Sequence, residues 1–392
     1  MKTWGELFLP KSMKLQKKKG DSVSYTIQFS DEEIDELIRK FGINTGVKEE
    51  TIKKDMRDDI KIFSYDEKPY KVYIVETPES ILLGAYPSIV NEEFKRLNQG
   101  IAKKLVPLLF DLGIIKEEEI GIGTNKTPFV LQHVLRASLG YELHGELRKY
   151  LNNLNDPDKK LIETWVRTHY VETSYRDHDE EEKELEIIFE DYKEFERVKR
   201  RSIDVIIQDT LASGKTGLKA ISKLLEETEK RNIRINRIIF YGFIAEFGSD
   251  YLWSKILKPN NIDFVVIALN SLTPLSINGY DMPIYGYDVF AWEKKKELKP
   301  IGGVMSRGTF KKMVSVFIPG ADQPGDFSAR QTKLFTGEKW VPGNIDEHVE
   351  NTITYIRSIK SLLEKKDKFL WEKTKDRIKE ELERLEELRE KY

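Results

Sequence analysis

A chain of 392 residues with 39% hydrophobic and 34% charged side chains has the composition of a water-soluble globular protein, with room for two or three domains and a sizeable core. Its 65 Lys and Arg against 67 Asp and Glu leave a net charge of −2, so no bulk field draws in nucleic acid or an anionic membrane. The lack of cysteine excludes disulfides, thiolate zinc sites and a cysteine nucleophile together. The opening "MKTWGELFLP" has no apolar core of a secretion signal, and no apolar run reaches bilayer length, so a cytoplasmic location is expected. Abundant Lys and Glu suit a thermophile.

In chain order, "VSYTIQF" alternates as a strand does, and Ser30 with Glu33 forms a capping-box pattern that opens an amphipathic helix through Phe41. "IKIFSYDEKPYKVYIVET" predicts two strands around a turn at Asp66 to Pro69. These features suggest an N-terminal α+β extension over residues 1–90. From Asn91 the pattern changes: "EEFKRLNQGIAKKLVPLLFDLGI" has helical spacing, while "PFVLQHVL" and "WVRTHYVETSY" read as strands. "IDVIIQD", a helix over Thr216 to Lys230, "RIIFYGFIA", a short helix near Tyr251 and "DFVVIAL" follow. Strands alternating with helices predict an α/β core over 91–292 with a doubly wound, mostly parallel sheet and ligand sites at the strand ends.

Residues 293–392 are expected to form an irregular segment followed by a long charged helix. "PIGGVMSRGTF" and "PGADQPGDFSARQ" are rich in turn residues. Trp371, Ile378, Leu382, Leu385 and Leu388 make one apolar stripe in the tail. It is too short for a strong coiled coil and reads as a helix packed on its own domain.

"VIIQDTLASGKTG", Val205 to Gly217, carries the candidate chemistry. A nucleotide-kinase reading of "SGKT" requires glycine where Asp209 stands, and a carboxylate is the wrong charge to begin a triphosphate cradle. The stretch resembles instead the phosphoribosyl pyrophosphate (PRPP) loop of type I phosphoribosyltransferases: an apolar strand, acid, and a small-residue turn into a helix. Ala212, Ser213, Gly214, Lys215 and Thr216 can turn N–H and hydroxyl groups onto a 5′-phosphate at a helix N-terminus. A plain strand-to-helix turn is the alternative for this loop taken alone.

Over residues 93–288 the chain resembles uracil phosphoribosyltransferase in four further segments. "EFKRLNQGIAKKL" is similar to that family's early helix, and "FVLQHVLRASLGYELHGEL" to its "PILRAGLGM" pyrophosphate loop. "ETSYRDHDEEEKELEIIFEDY" resembles its "YRDEETLEPVEYY" arm, and "LSINGYDMPIYGYD" its base-reading "LNEHGYIVPGLGD".

The resemblance implies transfer of the phosphoribosyl group of PRPP to uracil or a related nucleobase with release of pyrophosphate. Arg136 and Arg176 match the family's two arginines, with guanidinium forks suited to phosphate oxygens. Ala137 and Ser138 would complete the pyrophosphate loop, and Asp209 would meet the ribose hydroxyls. Gly279, Tyr280, Asp281, Met282, Pro283 and Tyr285 would form the base pocket, with Tyr280 or Tyr285 stacking on the ring. Mg²⁺ would arrive chelated by the substrate rather than in a protein cage, and the family pattern implies a homodimer.

His133 and His169, in apolar runs, are expected as core histidines. The departures from the family are Gln208 in place of the first aspartate, Asp209 in place of proline, and Ser138 and Lys215 in place of glycines. Ile284 and Tyr285 also thicken a Gly-Leu-Gly turn. They leave open a second reading, a phosphoribosyltransferase-like protein that senses PRPP or a nucleotide without turnover.

Overall fold

The computed structural model of the chain describes residues 27–52, 59–116, 127–154, 160–170, 185–198 and 202–392. Helix α1 (Asp31–Phe41) begins at the expected capping box: Ser30 Oγ accepts the Glu33 N–H, and the Glu33 carboxylate accepts the Ser30 N–H. Of the strand expected just before it, 23–26 lie outside the described residues and 27–29 are not in a strand. Strands β1 (Lys48–Glu49), β2 (Lys61–Ser64) and β3 (Lys71–Glu76) are followed by α2 (Pro78–Ala85) and α3 (Asn91–Asp111). Then come β4 (Phe129–Leu135), α4 (Leu143–Asn153), β5 (Ile162–Tyr170), β6 (Leu185–Asp191), β7 (Ser202–Gln208), α5 (Lys215–Glu229), β8 (Arg234–Ala245), α6 (Glu246–Leu252) and β9 (Asp263–Thr273).

These nine strands form one sheet in the order β1-β2-β3-β9-β8-β7-β4-β5-β6. The six strands from β3 through β5 run parallel, with antiparallel pairs only at the margins. The fold is α/β with a mostly parallel sheet. The N-terminal hairpin is continuous with it, because β3 pairs directly with β9.

The inner strands are apolar on both faces, as a sheet covered on both sides requires. Ile206, Ile239, Tyr241, Phe243, Ile267 and Leu269 join one core. Their neighbours Val205, Ile207, Ile238, Phe240, Val266 and Ala268 join the other. The first core lies under α1, α2, α3 and α4, and the second under α5 and α6.

The remaining elements are β10 (Tyr285–Tyr287), α7 (Val289–Lys295), β11 (Pro300–Gly302), α8 (Arg307–Val314), β12 (Lys333–Phe335), β13 (Trp340–Pro342), α9 (Ile345–Lys366) and α10 (Lys368–Lys391). After Asp367 the chain folds back, so that Arg357 meets Glu386 and Arg389 meets Glu350. The apolar stripe of the tail faces inward on its own protein: Ile378 and Leu385 are buried, and Trp371, Leu382 and Leu388 pack against the first core. The fully buried Arg377 locks this helix down. It donates to the carbonyls of Val316 and Ala85, pairs with Glu381 at 2.9 Å, and lies 4.0 Å above the Tyr86 ring.

Strand order also positions the site. From β4 the chain proceeds to β5 on one side, then returns through β6 to lay β7 against the other side of β4. The loops leaving the C-terminal ends of β4 and β7 therefore diverge, and the crevice between them is where doubly wound sheets bind ligands.

Candidate functional site

The turn Asp209–Gly214 joins β7 to α5 across this crevice. Gly214 adopts φ +82°, and a Cβ there would sit 3.0 Å from the Gly248 carbonyl oxygen and 3.0 Å from the Tyr251 ring. Glycine is thus required both for the left-handed turn and for its close approach to α6. Among the described residues no side chain caps α5, and the N–H groups of its first turn stand at the positive end of the helix, where an anion is favoured.

A cavity of about 400 Å³ opens over this turn. Its floor contains Asp209, Ala212, Ser213, Gly214, Lys215 and Thr216, and one wall contains Arg136 and Ala137 from the end of β4. Thus the structure brings together the candidate phosphate turn, the candidate ribose acid and one of the two arginines. Arg176 lies outside the described residues. Ser138 is fully buried at the start of a 3₁₀ turn, and its Oγ has no hydrogen-bond partner among the described residues.

Asp209 is 6% exposed, and its Oδ1 accepts the Thr210 N–H at 2.8 Å. Burial pushes its carboxyl up to about 8, because few groups nearby replace the lost hydration of a carboxylate. At neutral pH it is mainly the protonated acid, able to donate one hydrogen bond and accept others. Thr210 is fixed in turn by Tyr141, whose hydroxyl lies 2.7 Å from Thr210 Oγ1 and accepts the Phe243 N–H. Gln208 is fully buried and its Nε2 lies 3.4 Å from His133 Nδ1, and it does not line the cavity.

The expected base segment is largely elsewhere. Tyr280 lines the cavity, whereas Gly279, Asp281, Met282, Pro283 and Tyr285 do not. Gly279 forms a turn at φ +75°, and Asp281 is buried and holds Asn278 at 3.1 Å. Met282 and Pro283 are buried, the Met282 N–H donating to Asp322. Tyr285 must be withdrawn as a stacking residue: its ring is fully buried among Phe41, Phe310 and Phe317. His169 is also corrected, since it is exposed and lines the cavity. His133 is indeed a core residue, fully buried beside Glu163.

The opposite wall was not anticipated. It comes from the turn-rich segment after β11: Asp322, Pro324, Gly325, Asp326, Phe327 and Ser328. The buried Arg330 anchors this wall, donating to the carbonyls of Leu83, Tyr86, Ile89 and Pro324 at 2.9–3.1 Å. Density of glycine, proline and aspartate marked the segment as a turn, and nothing local indicated which cavity it would close. Among the described residues no group of three or more His, Asp or Glu is placed to hold a metal ion, and no helix is long and apolar enough to cross a membrane.

No family model matches the chain, and no curated protein matches it. It is similar to several solved structures. One is a hypoxanthine phosphoribosyltransferase from Staphylococcus aureus, at 19% identity and TM-score 0.24 over 47% of this chain and 77% of that one. Another is the adenine phosphoribosyltransferase of Trypanosoma brucei in complex with AMP, pyrophosphate and ribose-5-phosphate, at 13% identity and TM-score 0.32 over 56% of this chain and 91% of that one. A third is the hypoxanthine-guanine phosphoribosyltransferase of L. donovani, at 12% identity and TM-score 0.26 over 56% of this chain and 96% of that one. All three superpose loosely on this chain and are named for purine bases.

Proposed function

We propose that the chain is a PRPP-dependent phosphoribosyltransferase acting on uracil or a related nucleobase. The observation that supports the reading is the shared cavity: the start of α5, with Ala212 to Thr216, and Arg136 line one space at the switch point of the sheet. In this reading the 5′-phosphate rests on the turn's N–H groups. The Asp209 carboxyl meets the ribose hydroxyls, and Arg136 faces the charge that grows on the departing pyrophosphate. Tyr280, with the Asp322–Ser328 wall, would bound the space left for the base.

No dedicated general base is required, since the displacement is driven by positioning and by stabilising the leaving group. Mg²⁺ would come with the substrate's own oxygens and supply positive charge there; Asp209, Asp322 and Asp326 are the carboxyl groups that line the cavity. Arg176 would add a second guanidinium from the arm, and pairing of two chains belongs to the same proposal.

A second reading, ligand sensing without turnover, is favoured by Ser138, whose hydroxyl is buried unpaired beside Arg136 where the family has glycine. Incubation with PRPP, Mg²⁺ and a panel of pyrimidine and purine bases, with pyrophosphate release as the readout, separates the two. Base-dependent release that is lost in Arg136→Ala supports transfer. PRPP binding with no release for any base supports sensing, and release unaffected by Arg136→Ala removes the assignment.

A further inference from the structure

A second cavity, of about 770 Å³, lies beside α4, β5 and the β12–β13 hairpin, and it shares no lining residue with the first. Its volume is that of a small-molecule site. One wall is aromatic. Trp165, Phe335 and Trp340 follow one another with ring centroids 5.5 and 5.3 Å apart. Trp165 is held by stacking on the buried His133 at 3.8 Å. Trp340, at the end of this series, is 58% exposed; an indole left open at the rim of an aromatic cavity offers a flat surface to a ligand ring.

The polar groups restrict what that ligand can be. Lys95, Arg148 and Lys333 are matched by Glu92, Glu142 and Glu163, so the lining has no net charge to attract a strong anion or cation. Glu163 is already engaged: although burial pushes its carboxyl up, hydrogen bonds from His133 and Arg148 hold it at about 2. Glu142 accepts from Gln99 at 3.2 Å. The uncharged polar groups of the lining include the Asn91 amide, which donates to the Tyr392 hydroxyl, the Gln331 amide and the His144 imidazole. Burial keeps that imidazole neutral, pushed down to about 4, and its inaccessible Nδ1 has no hydrogen-bond partner among the described residues. A neutral imidazole offers one donor and one acceptor.

We propose that this cavity binds a neutral planar heterocycle, a free nucleobase or its nucleoside, with its ring against Trp340 and its polar edge toward Gln331 and His144. The site is independent of the function assigned to the first cavity. It is also joined to that cavity by one side chain. The Gln331 amide lies flat on Gly140, where a Cβ would come within 2.7 Å of it. It donates to the carbonyls of Ala137 and Phe327, both at 3.4 Å. Ala137 and Phe327 line the first cavity. A ligand that draws the Gln331 amide to itself removes its hold on the turn carrying Arg136, so occupancy of one cavity alters affinity in the other.

Calorimetric titration of the full chain with adenine, guanine, uracil, cytosine, their nucleosides and AMP tests the site. At least one neutral base or nucleoside is expected to bind wild type and Gly214→Val alike. Its affinity should fall at least tenfold in Trp340→Ala and be restored in Trp340→Phe. Failure of all of them to bind at millimolar concentration would overturn the proposal. So would tighter binding of AMP than of adenosine to Gly214→Val, whose phosphate turn is blocked, or binding that survives Trp340→Ala. With the best base present, ribose 5-phosphate affinity should shift several-fold in wild type and stay constant in Gln331→Leu; a constant affinity in wild type refutes the coupling.

Discussion

Asp209→Asn should make the protein more stable while removing its chemistry. Burial raises the Asp209 carboxyl from its ordinary value of 3.8 to about 8, so between those pH values the folded chain holds a proton that the unfolded chain has released. The contribution of this group is fully present below pH 3.8 and is lost as the pH rises through about 8. The slope is about 1.4 kcal/mol per pH unit. Asparagine is the uncharged isostere and keeps an oxygen for the Thr210 N–H, and it has no such dependence. The variant should therefore exceed wild type by about 4 kcal/mol at pH 7 and by about 2 kcal/mol at pH 5. Urea denaturation followed by tryptophan fluorescence at both pH values measures this. A gap that stays constant between pH 5 and 7, or a variant less stable than wild type at pH 7, would refute the reasoning. On the proposed function the same variant loses PRPP turnover, the pattern expected where a site is maintained against stability.

Three other perturbations probe the cavity. Arg330→Met leaves the buried carbonyls of Leu83, Ile89 and Pro324 unpaired, while that of Tyr86 keeps the Ile89 N–H; at about 1 to 3 kcal/mol each, urea denaturation should show a loss of at least about 3 kcal/mol, and a loss under about 1 kcal/mol would mean the wall is not held by this residue. Gly214→Val places a branched side chain at φ +82° against Gly248 and Tyr251, and calorimetry should find ribose 5-phosphate bound at least about tenfold more weakly. Arg136→Lys keeps the charge but loses the planar fork; pyrophosphate release should fall by about 10²-fold, and full activity in the lysine variant would mean that bidentate contact is not used.

The parallel core was legible because its strands are apolar on both faces: "IDVIIQ" and "DFVVIAL" can only be covered strands, and their alternation with helices restricts the sheet. Ser30 and Glu33 marked a helix start through purely local bonds, and those bonds are present. The turn from Asp209 to Gly214 was equally local, since a glycine and small residues between a strand and a helix define its geometry. Other features depend on tertiary structure. Tyr285 sits in a segment whose pattern suited a base pocket, yet three aromatic rings bury it. Arg330 and Arg377 look like surface charges in sequence, because the carbonyls that accept from them come from distant segments. The Asp322–Ser328 wall carries only turn chemistry, and turn chemistry does not specify a destination.

The central claim is that a sugar-linked phosphate seats on the Ala212–Thr216 turn while its diphosphate faces Arg136. A crystal structure with PRPP and Mg²⁺ bound tests it most directly. The 5′-phosphate is expected within hydrogen-bond distance of the N–H groups at the start of α5, with the pyrophosphate oxygens on Arg136 and the ribose hydroxyls on Asp209. PRPP bound elsewhere, or bound in this cavity with its pyrophosphate turned away from Arg136, would contradict the account.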